Sequence, residues 1–497
     1  MSTRRRAHRG PSPTGVSKGN VVLAVAAVCA FGSIASCTGP RVMTLDSGAD
    51  VQAIVASASQ RTVFVLKPGV YRLRSVKPKD YQKFVGEEGT VISGAMLVGG
   101  WRRLDDDWVA DGIPEPLRPS GYCAKSGDKK CVNREDLFVD GVRYGRVFAR
   151  QDVAPGLWFR ENGRIHLRED PRNRLVELGV APNAFTGNAK GVVFENLIIE
   201  KFATDAQQGA IDGRKSQNWR LRNLTVRWNH GGGLRLGKGM RVSGGAYVRN
   251  GQIGIVGEGD DAVVESVEIA FNNYAGFSSG WEAGGTKFWR SDNLIIRNTC
   301  VHNNNGPGLW TDIDNTNVLI EGNKVFDNAG DGIKHEISYN AIIRDNVAAR
   351  NGKPTDNWLW GSQILIQNSS DTEVYGNVVE VGPKYGNAIG LINQKRGSGA
   401  QGPWVTRNTY VHDNTMIFLG RQGMAGLVAD FERKRFKADT SNKFEKNRYI
   451  VPVLNQRIWM QFGKALDWRA LQARRRFEKG GSVIKETRSP VKLSCGD

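Results

Sequence analysis

The sequence predicts an all-β fold in which short parallel strands coil into a single-stranded β-helix, a solenoid. The first observation is a repeat in which Asn is followed four residues later by Gly and then by an apolar residue. Copies begin at Asn229, Asn250, Asn272, Asn304 and Asn328, at intervals of 21, 22, 32 and 24 residues. A period in the low twenties that tolerates one longer copy is typical of stacked repeats. The pattern of a leucine-rich horseshoe is missing, so Gly, Asn and short Val/Ile runs favour the β-helix.

The second observation is a column of Asn residues, each of which follows a short apolar run. Its members are Asn298, Asn323, Asn346, Asn377 and Asn408. A coil must turn sharply between strands, and Asn tolerates the left-handed backbone that such a turn needs. Identical Asn side chains in successive coils can also hydrogen-bond in a stack. Ordinary hairpins would not keep Gly and an apolar residue in one register five times, which excludes them.

The register also predicts which side chains point outward. Because side chains alternate along a strand, the apolar residue of each repeat points into the core. The predicted outward residues are Trp310, Asp312 and Asp314 in one coil, Lys334, Glu336 and Ser338 in the next, and Arg235, Glu258 and Ser278 upstream. Coils stack at roughly 4.8 Å, which predicts that Asp312 and Glu336 are near neighbours beside Lys334 and an exposed Trp310. Since like charges opposite each other destabilise a sheet, this row predicts a site for a cation or a sugar.

Residues 1–37 are predicted to be a targeting segment. A basic start leads to the apolar stretch 21–35, which is shorter than a membrane-spanning helix requires. The stretch ends in Ile-Ala-Ser-Cys at Cys37, which resembles the lipobox of bacterial lipoproteins, where this Cys carries the lipid. The alternative is an ordinary secretory signal. Both predict export, either as a cell-envelope lipoprotein held to the membrane by its lipid anchor alone or as a secreted protein.

Charge and compartment together limit the partners. The formal net charge is +19, and a basic exported protein favours anionic partners such as uronate polymers. Nucleic acid is not expected, because the chain has no recognition motif for it and is predicted to be exported. We predict a monomer.

The cysteines predict one disulfide and no metal site of the Cys/His kind. Cys123 and Cys131 bracket a polar loop and are predicted to pair in an oxidising compartment. Cys300 stands at an apolar strand position and is predicted to be a buried thiol, whereas Cys495 in the tail gives no indication.

Composition shifts divide the rest of the chain into four segments. They are an N-terminal cap with the first coils (38–100), a small inserted antiparallel module (101–190), the main β-helix coils (191–419) and a basic C-terminal cap or tail (420–497). The cap begins with a short helical pattern at 51–59, because the open end of a solenoid must be covered. The module holds two hairpin patterns with turns at Asp140-Gly141 and Asn162-Gly163.

These features resemble the right-handed parallel β-helix repeat proteins of the pectate-lyase-like superfamily. The matching stretches are LKPGVYRL, LFVDGV with DPRN, WEAGGTK, GLWTDIDN and GIKHEIS, and the resemblance covers most of residues 45–480. It implies a right-handed β-helix, export, and activity on polysaccharides as a lyase, an epimerase or a hydrolase. One fold hosts many chemistries, so the reaction must be argued from the site.

The preferred hypothesis is a polysaccharide lyase that acts by β-elimination on uronate chains. Elimination needs a neutralised carboxylate, a base for the C5 proton and a proton for the leaving oxygen. The predicted Ca²⁺ ligands are Asp312, Asp314, Glu336 and Glu258, since Ca²⁺ takes several oxygen ligands; the alternative is no cofactor. Lys334, with a pKa lowered beside the metal, is the predicted base, and Glu336 and Asp312 complete the catalytic set. The predicted substrate-binding residues are Trp310, Arg235, Lys287, Trp281 and His230.

Residues 335–338 are similar to the Glu-x-x-Ser/Lys-Ser region of calcium-dependent alginate lyases, but Tyr339-Asn340 stand where that family has its Lys.

Two other functions stay open. A glycoside hydrolase would use Asp312 with Asp314 or Glu336 as its carboxylate pair, although the ordered motifs of polygalacturonases are missing. A non-catalytic protein that holds glycan at the envelope is the third possibility. His335 is predicted to point inward as a hydrogen-bonded core residue.

Overall fold

The computed structural model describes residues 39–353, 358–438, 441–474 and 476–495. The predicted targeting segment and its Cys37 lie outside these residues. Residues 40–497 are one compact unit, in which successive coils contribute parallel strands to three sheets. This is the predicted β-helix. No helix in the described residues is long and apolar enough to span a membrane.

Sheets 1 and 2 are joined because two long strands, Arg220–Arg227 and Arg241–Val248, belong to both. The other strands of sheet 1 are Val42–Leu45, Val63–Leu66, Lys83–Gly86, Val193–Glu195, Val263–Glu265, Ile295–Arg297, Val318–Glu321, Tyr339–Arg344, Ser370–Tyr375, Tyr410–His412 and Lys443–Glu445. The other strands of sheet 2 are Gly69–Arg72, Thr90–Ser93, Ile198–Glu200, Glu268–Ala270, Cys300–His302, Lys324–Phe326, Val347–Ala349, Val378–Val381, Thr415–Phe418, Arg448–Val451 and Ser482–Lys485.

Sheet 3 carries the outward residues discussed above. Its strands are Phe185–Thr186, Gly209–Asp212, Gly232–Arg235, Ile253–Gly257, Gly284–Phe288, Leu309–Thr311, Ile333–Glu336, Ser362–Gln367, Asn387–Asn393, Ala425–Ala429, Trp459–Gln461 and Lys464–Leu466. All neighbours are parallel except the last pair. The inward residues of the three sheets, such as Leu309 and Ile333, form one continuous buried core.

The Asn residues of the repeat also form a stack inside the solenoid, of the kind predicted for the second column. Each Asn of the repeat is buried, and its Nδ2 donates to Oδ1 of the Asn in the next coil at 2.8 to 3.1 Å. The ladder then continues to Asn351. These bonds satisfy polar groups that the coil turns would otherwise bury unpaired.

The second Asn column is only partly as predicted. Asn323, Asn346 and Asn377 do stack, and Asn414 and Asn447 extend the stack. Asn298 and Asn408 are not members. Asn298 lies one residue early, in the left-handed turn (φ 52°), and Thr299 bonds to Asn323 in its place. Asn408 belongs to a different turn, where it donates to Asp371.

The longest interval of the repeat hides an insertion. Ile255 is in register with Thr286 and not with Phe277. The prediction that Phe277 continues the inward row is therefore wrong, because the insertion precedes the strand Gly284–Phe288. Phe277 is buried in a separate small cluster beside Cys131. The insertion includes the short helix Ser279–Glu282.

The antiparallel module forms an eight-stranded sheet with its own core. In spatial order its strands are Ala95–Leu97, Val176–Gly179, Leu137–Val139, Val142–Arg146, Leu157–Glu161, Arg164–Leu167, Asp107–Ala110 and Arg102–Leu104. Both predicted hairpins are present, with antiparallel partners on either side of Asp140-Gly141 and Asn162-Gly163. The 3₁₀ helix Arg150–Asp152 lies between the two hairpins. An additional two-stranded pairing joins Ser398–Gly399 to Gly402–Pro403.

The two ends differ in how they close the solenoid. The predicted N-terminal helix spans Val51–Ser57 and begins at Asp50, whose side chain accepts a hydrogen bond from the Ala53 amide. At the other end, parallel strands continue past residue 419 to Ser482–Lys485. The segment 420–497 therefore contributes coils as well as the short helices Arg433–Ala438 and Trp468–Gln472.

Two disulfides are present. Cys123 and Cys131 pair as predicted. Cys300 also forms a disulfide, with Cys495, so its assignment as a free buried thiol is wrong. No local pattern indicates this bond, because its cysteines are 195 residues apart in the chain. The bond ties the C-terminal tail to sheet 2, where the amide of Val491 also donates to Glu380.

Removal of the Cys300–Cys495 disulfide should destabilise the protein more than removal of Cys123–Cys131. A cross-link stabilises mainly by restricting the unfolded chain, and this effect grows with the length of the closed loop. For the double substitution Cys300→Ser with Cys495→Ser we expect the unfolding free energy to fall by roughly 2–4 kcal/mol. Thermal or denaturant unfolding measures it, with the Cys123→Ser/Cys131→Ser protein as the matched comparison across an eight-residue separation. A larger loss from that shorter loop would contradict the expectation.

Candidate functional site

The candidate site lies on the outer surface of sheet 3, where three consecutive strands place charged residues in line. Register pairs Arg235 with Val256, Val256 with Lys287, and Trp310 with Lys334. Leu309 and Ile333 point into the core on the opposite side. The predicted alternation is confirmed at these positions. Lys287 belongs to the strand itself rather than to the inserted loop.

The alternation stops sooner than predicted. Ile313 and Ile337 have left-handed backbone angles, φ 54° and 37°, so each strand turns directly after Asp312 or Glu336. Ser338 is consequently buried, where its hydroxyl donates to the backbone carbonyl of Glu336. The prediction that Asp314 and Ser338 extend the outward row is wrong for this reason.

The row is largely buried, and its charged side chains keep only a small exposed fraction, 12% for Lys334. Trp310 is 3% exposed, and Asp312 and Glu336 are each 4% exposed. The Nζ atoms of Lys287 and Lys334 lie 3.9 and 4.6 Å from the centre of the Trp310 ring. The expected exposure of Trp310 is wrong, since neighbouring side chains cover the indole on both sides. Cation–π contacts of this kind are strongest where water is excluded.

Two separate ion-pair groups share this surface. The Nζ of Lys287 lies 2.8 Å from Oδ2 of Asp312 and 3.7 Å from Oε1 of Glu282. The Nζ of Lys334 lies 2.6 Å from Oε2 of Glu336. The same Glu336 oxygen also accepts a hydrogen bond from Nε1 of Trp310 at 3.2 Å, so the indole lies between the two groups.

A loop residue completes the second group. Arg396 donates through Nη1 to Oε1 of Glu336, so both oxygens of this carboxylate are held by cations. The loop that carries Arg396 is fixed by Asp314, whose Oδ1 accepts from Nε1 of Trp404 at 3.0 Å and from the amide of Ala400 at 3.2 Å. Asp314 therefore anchors a loop, which is not the metal-binding role predicted for it.

The carboxyls differ in how their charge is stabilised. Burial, and next the charge of Glu336, raise the pKa of the Asp312 carboxyl above its usual value despite the nearby Lys287. Burial likewise raises the pKa of Glu282. One oxygen of each, Oδ1 of Asp312 and Oε2 of Glu282, is buried without a hydrogen-bond partner among the residues that the structure describes. A buried carboxyl with a free oxygen and a raised pKa is suited to hold and donate a proton.

Glu336 has the opposite character. Burial acts to raise its pKa, but Lys334 and then Arg396 outweigh burial, and the pKa of Glu336 lies below its usual value. Conversely, burial acts to lower the pKa of Lys334, but the charges around it, Glu336 first, raise that pKa above the ordinary value. A lysine base needs a lowered pKa, so the environment opposes the base role predicted for Lys334.

The remaining predicted residues lie outside this cluster or at its edge. Arg235 donates to the backbone of Gln207 and to Gln208, and Glu258 accepts from Nε1 of Trp289. The carbonyl of Trp281 accepts from Lys287, while its ring meets Tyr122 edge-on at 4.8 Å.

The two histidines are structural. His230 bonds to Asp136 through Nδ1, at 2.9 Å, and to the carbonyl of Cys131 through Nε2, which joins the module to the coils. His335 is a core residue, as predicted. It bonds to Thr311, and burial lowers its pKa to about 3.

The four predicted calcium ligands do not form a cation cage. In the described chain, Asp312 and Glu336 pair with lysines, Asp314 anchors the Trp404 loop, and Glu258 caps an indole. The one group of metal-ligating residue types whose atoms converge there is Cys300, His302 and Cys495, and its cysteines form a disulfide. Calcium binding stays a prediction from the sequence, and we assign no catalytic step to it.

A cavity adjoins the cluster at Arg396. Its volume is about 760 Å³, and it lies between the loop 393–408 and residues 431–436, with Ser441 also in its lining. The sequence reasoning missed Arg396, as well as Trp360, whose ring centre is 5.6 Å from the Nζ of Lys334. Neither residue belongs to a repeat. The available signal was that insertions between solenoid strands gather on one face and cover it.

Comparison with known proteins agrees with this architecture. Residues 209–379 match the family model of the right-handed β-helix region. No curated protein sequence matches the chain. The structure of XylC with xylose superposes with a TM-score of 0.60 at 14% identity, covering 88% of this chain and 83% of XylC.

Two further structures are less similar. The A-module of the mannuronan C-5 epimerase AlgE6 from Azotobacter vinelandii gives a TM-score of 0.44 at 13% identity, covering 89% of this chain and 94% of the module. DFA-IIIase from Arthrobacter chlorophenolicus A6, in complex with GF2, gives 0.39 at 11% identity, with 88% and 93% covered. The chain has the right-handed parallel β-helix fold, as the sequence predicts.

Proposed function

We propose that this protein is a carbohydrate-active enzyme that hydrolyses glycosidic bonds at the outer surface of sheet 3. One observation carries the proposal. Two buried carboxyls, Asp312 and Glu336, lie on adjacent coils, and their cation partners differ: Lys287 for the first, Lys334 and Arg396 for the second. Two carboxyls whose surroundings move their pKa values apart are the arrangement that acid–base cleavage of a glycoside requires.

The roles follow from the partners. Asp312, with its raised pKa and free Oδ1, is the proton donor to the leaving oxygen. Glu336, with its lowered pKa, is the ionised nucleophile or base. Asp312 and Glu336 lie on neighbouring coils, whose backbones are roughly 4.8 Å apart, and such close placement fits the narrow carboxyl pair of retaining glycosidases better than the wide pair of inverting ones. We therefore expect retention of the anomeric configuration.

The aromatic surroundings support a sugar ligand. The indole of Trp310 at the centre of the cluster is covered by Lys287 and Lys334, but Trp360 at the edge of the cluster is partly exposed. Indole rings offer apolar faces with a polar N–H, which suits a sugar ring with one apolar face. XylC, which shares the fold over most of both chains, is described in complex with xylose.

A polysaccharide lyase is the second candidate. Lys287, Lys334 and Arg396 are cations that would neutralise the carboxylate of a uronate, as β-elimination demands. The raised pKa of Lys334 leaves Glu336 as the base in that scheme. Hydrolysis is favoured because it uses the free Oδ1 of Asp312, a carboxyl whose pKa is raised, directly.

Product analysis separates these functions. The purified protein would be incubated with neutral and uronate-containing polysaccharides, with and without chelator, while reducing ends and the ultraviolet absorbance of unsaturated uronate ends are recorded. We expect new reducing ends without that absorbance, and products that keep the anomeric configuration. Absorbance that rises with the reducing ends would support the lyase instead. Binding of a polysaccharide without new reducing ends or unsaturated ends would contradict the enzymatic proposal for that substrate and support a protein that only holds glycan.

We also infer that the protein is exported. Its two disulfides support this, because disulfides persist in oxidising compartments. The lipid anchor at Cys37 and the monomeric state stay predictions from the sequence.

A further inference from the structure

The cavity beside Arg396 has the composition of a ligand site. Its volume of about 760 Å³ lies within the range of small-molecule pockets, roughly 300–1,000 Å³. Trp404, Phe431 and Phe436 supply apolar surface, and Phe436 is buried. Trp404 is fixed in place, since its Nε1 donates to Asp314 and its carbonyl accepts from Asn368. A rigid aromatic wall is a suitable platform for one face of a sugar ring.

The charge of the cavity is strongly one-sided. Four of its lining residues are basic, Lys395, Arg396, Arg407 and Arg435, and Glu432 is its one acid. Glu432 is matched by Arg435 at 3.4 Å. Within the described part of the chain, neither Lys395 nor Arg407 has a carboxylate within ion-pair distance. Two cations without partners at an aromatic cavity favour an anionic ligand.

Arg396 belongs to both places. It lines the cavity, and its Nη1 holds Oε1 of Glu336. One guanidinium can fork between two anions, but each new anion weakens its hold on the other. Occupation of the cavity by an anion is therefore linked to the carboxylate on sheet 3, and such linkage acts equally in both directions.

We propose that this cavity binds an anionic sugar unit, with its ring on Trp404 and its acidic group facing Lys395 and Arg407, and that Arg396 couples this binding to Glu336. The inference deepens the proposed function, on which it rests for the view that the bound sugar is part of the substrate. It assigns the substrate to the anionic glycans and places the recognition of charge outside the carboxyl pair. Carboxylate and sulfate groups both fit this chemistry.

Binding in a background that cannot turn over tests the site. In the Asp312→Asn protein, calorimetry and tryptophan fluorescence would follow titration with tetragalacturonate, a chondroitin sulfate tetrasaccharide and neutral maltotetraose. We expect the anionic ligands to bind more tightly than maltotetraose, with an affinity that falls as salt increases. Lys395→Gln with Arg407→Gln should weaken anionic binding roughly tenfold or more and leave maltotetraose unchanged. Arg220→Gln, on the exposed side of sheet 1, is the matched control and should change nothing.

The coupling predicts opposite signs for two substitutions in one ion pair. Arg396→Gln should weaken anionic binding, whereas Glu336→Gln should strengthen it, because Arg396 is then released to the ligand. General destabilisation would weaken binding in both, and thermal unfolding checks that each variant is folded. Equal binding of anionic and neutral ligands, no binding of either anionic ligand, or weaker binding in both variants would overturn the proposal.

This test and that of the proposed function fail separately. If anionic ligands bind in the cavity but the unsubstituted protein cleaves no glycan, the binding site is supported and the enzymatic proposal is contradicted. If the protein cleaves neutral glycans but binds no anionic ligand, the enzymatic proposal is supported and the anionic binding site is contradicted.

Discussion

Asp312→Asn and Glu336→Gln should each lower kcat for glycoside cleavage by roughly 10²- to 10⁴-fold, the contribution usual for one acid–base residue. Both changes keep the size of the side chain and remove the group that exchanges a proton or forms the covalent bond. Asn at 312 has no acidic proton for the leaving oxygen, and Gln at 336 has no negative charge. Reducing-end kinetics on the substrate identified by product analysis would measure the loss, with KM changed far less than kcat.

Glu321→Gln is the matched control for these substitutions. Glu321 lies in the coil that follows Asp312 along the chain, but on sheet 1, where it pairs with Arg344 at a partly exposed position. Its loss should cost little, because exposed ion pairs contribute little to stability. If Glu321→Gln reduced kcat as much as Asp312→Asn, the assignment of catalysis to sheet 3 would fail.

The pH profile gives an independent readout of the same pair. Cleavage requires Asp312 protonated and Glu336 ionised, and their pKa values are raised and lowered respectively. Activity should therefore fall as pH drops through the lowered pKa of Glu336 and fall again as pH rises through the raised pKa of Asp312. Arg396→Gln removes a charge that lowers the Glu336 pKa, so it should move the acidic limb of the profile to higher pH. An unmoved acidic limb would show that Arg396 does not set the charge of Glu336.

Local patterns predicted the solenoid well because each coil repeats the same physical requirement. A coil must bury an apolar residue and provide hydrogen-bond partners for the polar groups of its turn. The Asn–Gly–apolar repeat supplies both within six residues. The adjacency of Asp312 and Glu336 followed from the same register, since Trp310 and Lys334 pair across neighbouring strands. Where an insertion shifted the register, as before Gly284–Phe288, the same reasoning placed Phe277 in the wrong row.

The environment of the carboxyls could not be predicted in this way. Arg396 comes from a loop 60 residues after Glu336, and nothing in its sequence repeats. When Arg396 is not taken into account, Glu336 and Asp312 are two equivalent acids on an exposed face, and that arrangement suggested a calcium site. The loop that covers sheet 3 removes these carboxyls from water. The stability of each buried carboxylate charge then depends on the nearest cation. The pairing of Cys495 with Cys300 could not be predicted for the same reason, because only folding brings these two residues together.

The Asn ladder should be the most sensitive structural element outside the core. Asn304 is 1% exposed, and its Nδ2 donates to Asn328 and to the carbonyl of Ile269. Its Oδ1 accepts from the amide and the Nδ2 of Asn272. Asn304→Ala removes these four bonds and leaves buried groups of two adjacent coils unsatisfied. Each such group costs roughly 1–3 kcal/mol, so we expect a total loss of roughly 3–5 kcal/mol in unfolding free energy.

The neighbouring residue provides the control. Asn305 is exposed, and its side chain makes one long hydrogen bond, 3.4 Å, to the carbonyl of Asn273. Asn305→Ala should cost less than about 1 kcal/mol in the same denaturant unfolding experiment. Equal losses from the two substitutions would mean that the ladder contributes no more than an ordinary surface Asn. A larger loss at Asn304 would fit a solenoid whose stability resides in the interfaces between coils, because a defect in one ladder residue weakens the contacts of the coils on both sides.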